Sequence, residues 1–206
     1  MRRDEIAQHI VERDPVFRDV VAVVGLPPAR RPAPSADRFA AVIRTVTYQL
    51  LAGRAASTIH ARVEAVCDHL VTPERLLAIG PTTLQGAGLN AGKANAMVGL
   101  AQAVVDGNID FTRHGRRSDT DVLHELTAVK GVGPWTVQMY LMNTLGRRDV
   151  WPIGDYGVRS GWSLLHGLDD TVAEKDLRVE GERFEGLRSD VAWYCWRAID
   201  IARASK

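Results

Sequence analysis

The chain has no surplus of charge of either sign: 26 Lys and Arg stand against 25 Asp and Glu in 206 residues. A general basic field is therefore missing, and any affinity for nucleic acid must come from local features. Cysteine is scarce as well. Cys67 and Cys195 are the only two and lie far apart, which argues against a disulfide scaffold and excludes a four-cysteine iron–sulfur cluster within one chain. The six histidines show no zinc-type spacing with cysteine or acid, so no metal is expected. No apolar run is long enough to span a bilayer, and no signal-peptide pattern opens the chain. The expectation is a soluble, intracellular, cytoplasmic protein with no membrane partner.

Alternating strands and 20–50-residue repeats are missing too. What remains is helical periodicity almost throughout, so the expected fold class is all-α. Residues 4–24 carry Ile6, Ile10, Val11, Phe17, Val20, Val21 and Val24 at helical spacing, with Pro15 dividing them into two helices. Four prolines make 25–34 a connector. A helix is expected over 37–51 with Gly53 as its stop. Ser57 would cap the next helix, whose buried stripe is Ile59, Val63, Val66 and Leu70. Thr72-Pro73-Glu74 opens another. A turn at 86–90 precedes a helix over 93–105, and further helices are expected at 156–166 and 189–204, after an irregular stretch at 146–154. The short basic run of Arg113, His114, Arg116 and Arg117 reads as a solvated loop.

The richest stretch is 123–142, LHELTAVKGVGPWTVQMYLM. A helical pattern runs into Lys130-Gly131-Val132-Gly133 and a second starts at once, with Pro134 suited to its first turn. Glycines on either side of one apolar residue permit positive φ and present consecutive N–H groups without Cβ obstruction. The opening helix adds its own unpaired N–H groups and positive dipole end, so the surface suits a phosphate without reading a base. The glycines alone fit a plain helix–helix corner equally well. Downstream, Asp155 sits where it would cap a helix, and capping alone justifies an aspartate there. Beside a cleft, the same carboxylate could stabilise a developing positive charge or orient a water.

The run Leu126 to Thr136, followed by Asp155, resembles the helix-hairpin-helix DNA glycosylases, within them the 3-methyladenine DNA glycosylase II, or alkylation-repair, type. Three further segments carry the likeness in the same order: Phe39 to Ala56, similar to the family's helix and wedging loop; Gly88-Leu89-Asn90-Ala91-Gly92-Lys93-Ala94, similar to a G-L-S-x-x-K-A turn; and RSDVAWYCWR at 188–197, similar to its C-terminal signature. Departures exist: Gly186-Leu187 replaces the usual Pro-aromatic pair, Gln49-Leu50 replaces a common Gln-Gln pair, and Ala52 replaces a common serine.

The resemblance implies a two-lobed fold with a cleft between the lobes, formed as one glycosylase domain over 1–206. Its hairpin unit would span about 119–145, and no separate N-terminal β-rich domain is expected. It implies excision of alkylated purines from double-stranded DNA by a monomer associated with the nucleoid. Asp155 would be catalytic, with Trp135, Tyr156, Phe184 and Met139 around the flipped base. Gln49, Leu50, Lys130, Gly131, Val132, Gly133 and Thr136 would meet DNA, Leu50 as the wedge; as a residue on its helix's apolar stripe, Leu50 fits the core equally. Trp135 occupies the position where lyase-type relatives place a Schiff-base lysine, so no lyase activity is implied. No cofactor is implied beyond a monovalent cation that some family hairpins hold through backbone carbonyls. The same fold acting on another damaged or mismatched base, or binding damaged DNA without catalysis, are the alternatives.

Overall fold

The computed structural model describes residues 1–51 and 53–204, and their regular structure is entirely helical. The chain divides into two compact units, Met1–Arg31 with Arg147–Lys206, and Pro32–Gly146.

The first unit contains α1 (Arg3–Arg13), α2 (Arg18–Val24), α9 (Tyr156–Leu165), α10 (Glu174–Glu180) and α11 (Arg188–Ala204). Pro15 does break the first helical stretch, opening a 3₁₀ turn at Pro15–Phe17. The core is aromatic: Phe17 lies 5.8 Å from Phe184 and 6.0 Å from Trp162 between ring centroids. α9 and α11 approach so closely that a Cβ on Gly161 would lie 2.0 Å from the Cys195 carbonyl oxygen. Burial pushes the Cys195 thiol pKa far up. The connector is held by Arg30, whose Nε donates to Asp190 at 2.6 Å and whose Nη2 donates to the Ser189 carbonyl at 2.7 Å. α10 has no counterpart in the sequence reading, because a seven-residue helix with Leu177 as its one buried side chain leaves too short a pattern.

The second unit contains α3 (Arg38–Tyr48), α4 (Gly53–Val66), α5 (Pro73–Gly86), α6 (Ala91–Val105), α7 (Asp119–Thr127) and α8 (Pro134–Asn143). Thr72 caps α5 through Oγ1, with Pro73 in its first turn, and Asn90 caps α6. Several expectations are corrected. α3 stops before Leu50, so that residue is outside its apolar stripe. Gly53 begins α4 rather than ending α3, and Ser57 lies inside α4 instead of capping it. Leu70 is 64% exposed: Asp68 and His69 take φ of 53° and 59°, which ends the helix and turns the chain away first.

The basic run is solvated in part, with Arg113 and Arg116 exposed, and it is anchored at its centre. His114 has no exposed surface; its Nδ1 lies 3.0 Å from the Tyr140 hydroxyl and its Nε2 3.0 Å from Glu125 Oε1. Arg117 pairs with the other Glu125 oxygen, and Arg113 pairs with Asp110 at 2.9 Å. Burial, then the charges of Arg117 and Arg38, lower the His114 pKa to about 4. This loop is cemented to its unit by a buried polar network.

Candidate nucleic-acid interface and carboxylate site

In the second unit, α7 is capped by Ser118 and gives way to the expected hairpin. The Val132 N–H closes on the Val129 carbonyl at 3.0 Å. Gly131 takes φ +92°, and a Cβ there would lie 2.7 Å from that of Ala96, so both backbone and packing demand glycine. Gly133 is the N-cap of α8, and Pro134 is its first residue. Lys130 and Gly131 are exposed, while the Val132 side chain is buried beneath them. Val132 therefore serves the hairpin itself, its side chain buried and its N–H bonded to Val129.

Gln49 ties the loop after α3 to this hairpin. Its Nε2 donates to Thr136 Oγ1 at 2.7 Å and to the Gly131 carbonyl at 3.3 Å. Thr136 is itself buried, so its hydroxyl anchors Gln49 rather than facing a ligand, against expectation. Leu50 takes φ +54° and is 103% exposed, which rules out the core alternative. A groove of about 610 Å³ lies alongside, lined by Gln49, Leu50, Lys93, Asn95, Lys130 and Gly131 among others. Trp135 is half-buried in the first turn of α8, and Met139 is buried further along it.

In the first unit, Asp155 is the N-cap of α9, its Oδ1 accepting the Val158 N–H at 2.8 Å. The same oxygen accepts the Trp196 indole N–H from α11 at 2.9 Å. Gly157 makes room for that indole, since a Cβ there would lie 2.9 Å from the Trp196 ring. A carboxylate held by two N–H donors from separate elements is oriented more firmly than a cap requires. Tyr156 is 71% exposed and lines a cavity of about 610 Å³ with Ser160, Leu164, Leu168 and Thr171 among others. Phe184 is corrected: it is fully buried in the aromatic core of this unit and presents no surface to a base. The second carboxylate-holding donor, Trp196, escaped the sequence reading, although it lies in the quoted 188–197 signature. Among the described residues, no cluster of three or more His, Cys, Asp or Glu could hold a metal, and no helix is long and apolar enough to cross a membrane.

Comparison with known proteins bears on these features. DNA-3-methyladenine glycosylase 1 of Schizosaccharomyces pombe is 28% identical over 201 residues, covering 96% of this chain and 88% of its own. The solved structure of the S. pombe 3-methyladenine DNA glycosylase Mag1, in complex with abasic DNA, superposes with a TM-score of 0.87 at 27% identity, covering 94% of this chain and 95% of that one. A DNA-3-methyladenine glycosidase from Bacillus halodurans gives 0.77 at 28% identity, over 96% and 91%. The HhH-GPD profile matches residues 43–185, a span that holds the Leu50 loop, the glycine hairpin and Asp155. The chain therefore belongs to the HhH-GPD superfamily of base excision DNA repair proteins.

Proposed function

We propose that this protein is a monofunctional DNA glycosylase that removes alkylated purines, of the 3-methyladenine and 7-methylguanine type, from double-stranded DNA. The observation that carries the reading is the doubly held Asp155 carboxylate, on a chain similar over nearly its whole length to named 3-methyladenine glycosylases. The target bond is hidden in the base stack, so the nucleotide must be flipped out, at a cost of about a few kcal/mol. The hairpin amides of Gly131 and Gly133 would grip a phosphate, with the Lys130 ammonium adding charge, and Leu50 would fill the vacated stack. Trp135 and Tyr156 offer aromatic faces, and a cationic alkylated purine gains from such a face through its charge.

The reaction is a hydrolysis. The C1′–N bond breaks with its electron pair leaving on the base, and a water oxygen bonds to C1′ and releases a proton to the solvent. A cationic base departs as a neutral molecule, so no strong general acid is required. Asp155 supplies negative charge beside the oxocarbenium-like sugar, as carboxylates do in glycoside hydrolysis. Water is the one co-reactant, and no cofactor takes part in the proposed chemistry. A monovalent cation at the hairpin, if one binds, would be held by backbone carbonyls and would serve the phosphate grip. The enzyme works as a monomer on intracellular DNA, and its product is an intact abasic site.

Free-base release from methylated duplex DNA, compared between wild type and Asp155→Asn, tests this. Asparagine keeps a cap acceptor for Val158 and loses the charge. Release of methylated purines by wild type alone supports the reading. No release by either protein, with abasic-DNA binding retained, would overturn it in favour of another lesion or a non-catalytic binder.

A further inference from the structure

Lys93 occupies a position that costs the protein three times over. The residue is only 9% exposed, and burial lowers its pKa. It lies in the first turn of α6, at the positive end of a helix dipole that disfavours a cation. No described carboxylate forms an ion pair with it. Its Nζ instead donates to two backbone carbonyls, Thr47 at 2.8 Å and Gln49 at 2.6 Å. Both belong to the last turn of α3 and the residue just after it, where carbonyls lack intrahelical partners and negative partial charge collects.

Those two carbonyls stand just before Leu50, the residue with left-handed backbone and a fully exposed apolar side chain. Leucine resists that conformation because its Cβ crowds the following carbonyl oxygen. Such strain persists only where surrounding structure over-determines it. Two devices do so here, both from within the second unit. The Gln49 side chain ties the loop to the hairpin at Gly131 and Thr136, and the Lys93 ammonium draws the carbonyls of Thr47 and Gln49 onto one point.

We propose that Lys93 is the positioning residue of the Leu50 wedge, holding the end of α3 so that Leu50 projects from the loop tied to the glycine hairpin. The proposal rests on the reading of Leu50 as the wedge. A preset wedge matters only when a paired base must be expelled. Lys93 therefore acts on base extrusion and leaves untouched both the phosphate grip and the Asp155 chemistry.

The test uses one alkylated lesion in two duplexes, paired normally or facing an abasic analogue, with single-turnover excision measured for wild type, Leu50→Ala, Lys93→Met and the double variant. Lys93→Met is expected to lose at least about tenfold on the paired lesion and under threefold on the unpaired one. It should bind abasic duplex normally and add little to Leu50→Ala. An equal loss on both duplexes, or full additivity with Leu50→Ala, would overturn the proposal. If Leu50→Ala excises the paired lesion at the wild-type rate, the wedge reading fails with it, while base release by wild type keeps the glycosylase reading standing. Should Lys93→Met alone not fold, the Leu50→Gly background decides. Glycine removes the left-handed strain that Lys93 holds, so recovered folding supports the proposal and continued failure overturns it.

Discussion

The indole N–H of Trp196 and the backbone N–H of Val158 converge on one oxygen of Asp155, at 2.9 and 2.8 Å. Capping needs the second contact and has no use for the first. The indole fixes the plane of the carboxylate, which decides whether its charge faces a reacting sugar. Trp196→Phe keeps the ring and deletes the donor. A hydrogen bond to a charged group is worth about 1.5–3 kcal/mol, so the single-turnover rate of base release should fall about tenfold or more. Binding to abasic duplex should stay within a factor of about two. A rate equal to wild type would show that the indole does not hold the carboxylate for catalysis.

Gly157 and Gly161 face the same helix, and their substitutions should separate function from stability. Alanine at Gly157 would press on the Trp196 ring at 2.9 Å and approach Asp155 Oδ1 at 3.1 Å. The indole can swing aside, so Gly157→Ala should fold and reproduce the Trp196→Phe rate defect. At Gly161 the obstacle is the Cys195 carbonyl, 2.0 Å away and part of the α11 backbone. Gly161→Ala must push α9 and α11 apart, at a cost of about 3 kcal/mol or more. Urea midpoints should drop sharply for Gly161→Ala and little for Gly157→Ala; the reverse order would refute this account of the α9–α11 contact.

Helix existence was legible from apolar spacing, and capping chemistry located the starts at Thr72 and Asp155 but not at Ser57, an equally small polar residue that lies inside α4. The hairpin was legible because glycine has few other reasons to recur on both sides of one valine. What stayed hidden depends on tertiary partners. Thr136 and Phe184 have residue types that suit a binding site, yet neighbours distant in sequence bury them. Lys93 was visible as a motif letter without a role, since its partners are carbonyls, which every residue carries. Leu50 was ambiguous for a related reason: its spacing continues the apolar stripe of α3, and only the left-handed turn removes it from the core.

Trp135 stands in the first turn of α8 between Pro134 and Thr136, at the position where the family resemblance places the Schiff-base lysine of lyase-type relatives. No amine is available there to attack the sugar. Incubating the protein with abasic duplex and borohydride should trap no covalent adduct and leave the strand unnicked at neutral pH. A borohydride-dependent band on a denaturing gel would overturn the monofunctional assignment and send the search to Lys130, the exposed lysine of the hairpin.

The buried network around His114 makes stability pH-dependent in a definite direction. As a neutral ring it can donate from Nε2 to Glu125 and accept at Nδ1 from the Tyr140 hydroxyl, so every group is satisfied without a second proton. Folding lowers its pKa from 6.5 to about 4, by burial first and by the charges of Arg117 and Arg38 next, against the opposing pull of Asp110. Between those values the unfolded chain binds the proton and the folded chain does not. Acid therefore favours unfolding: the contribution is whole above about pH 6.5 and drains away as pH falls toward 4. Between pH 7.5 and pH 5 the loss should be about 2 kcal/mol from this residue. Other carboxylates titrate in the same range, so the informative quantity is a difference of differences. His114→Gln keeps one donor for Glu125 and one acceptor for Tyr140 while removing the titration. Its urea-unfolding free energy should fall less than that of wild type between the two pH values, by about that amount. Parallel declines for the two proteins would mean that His114 takes up its proton as readily in the folded network as in water.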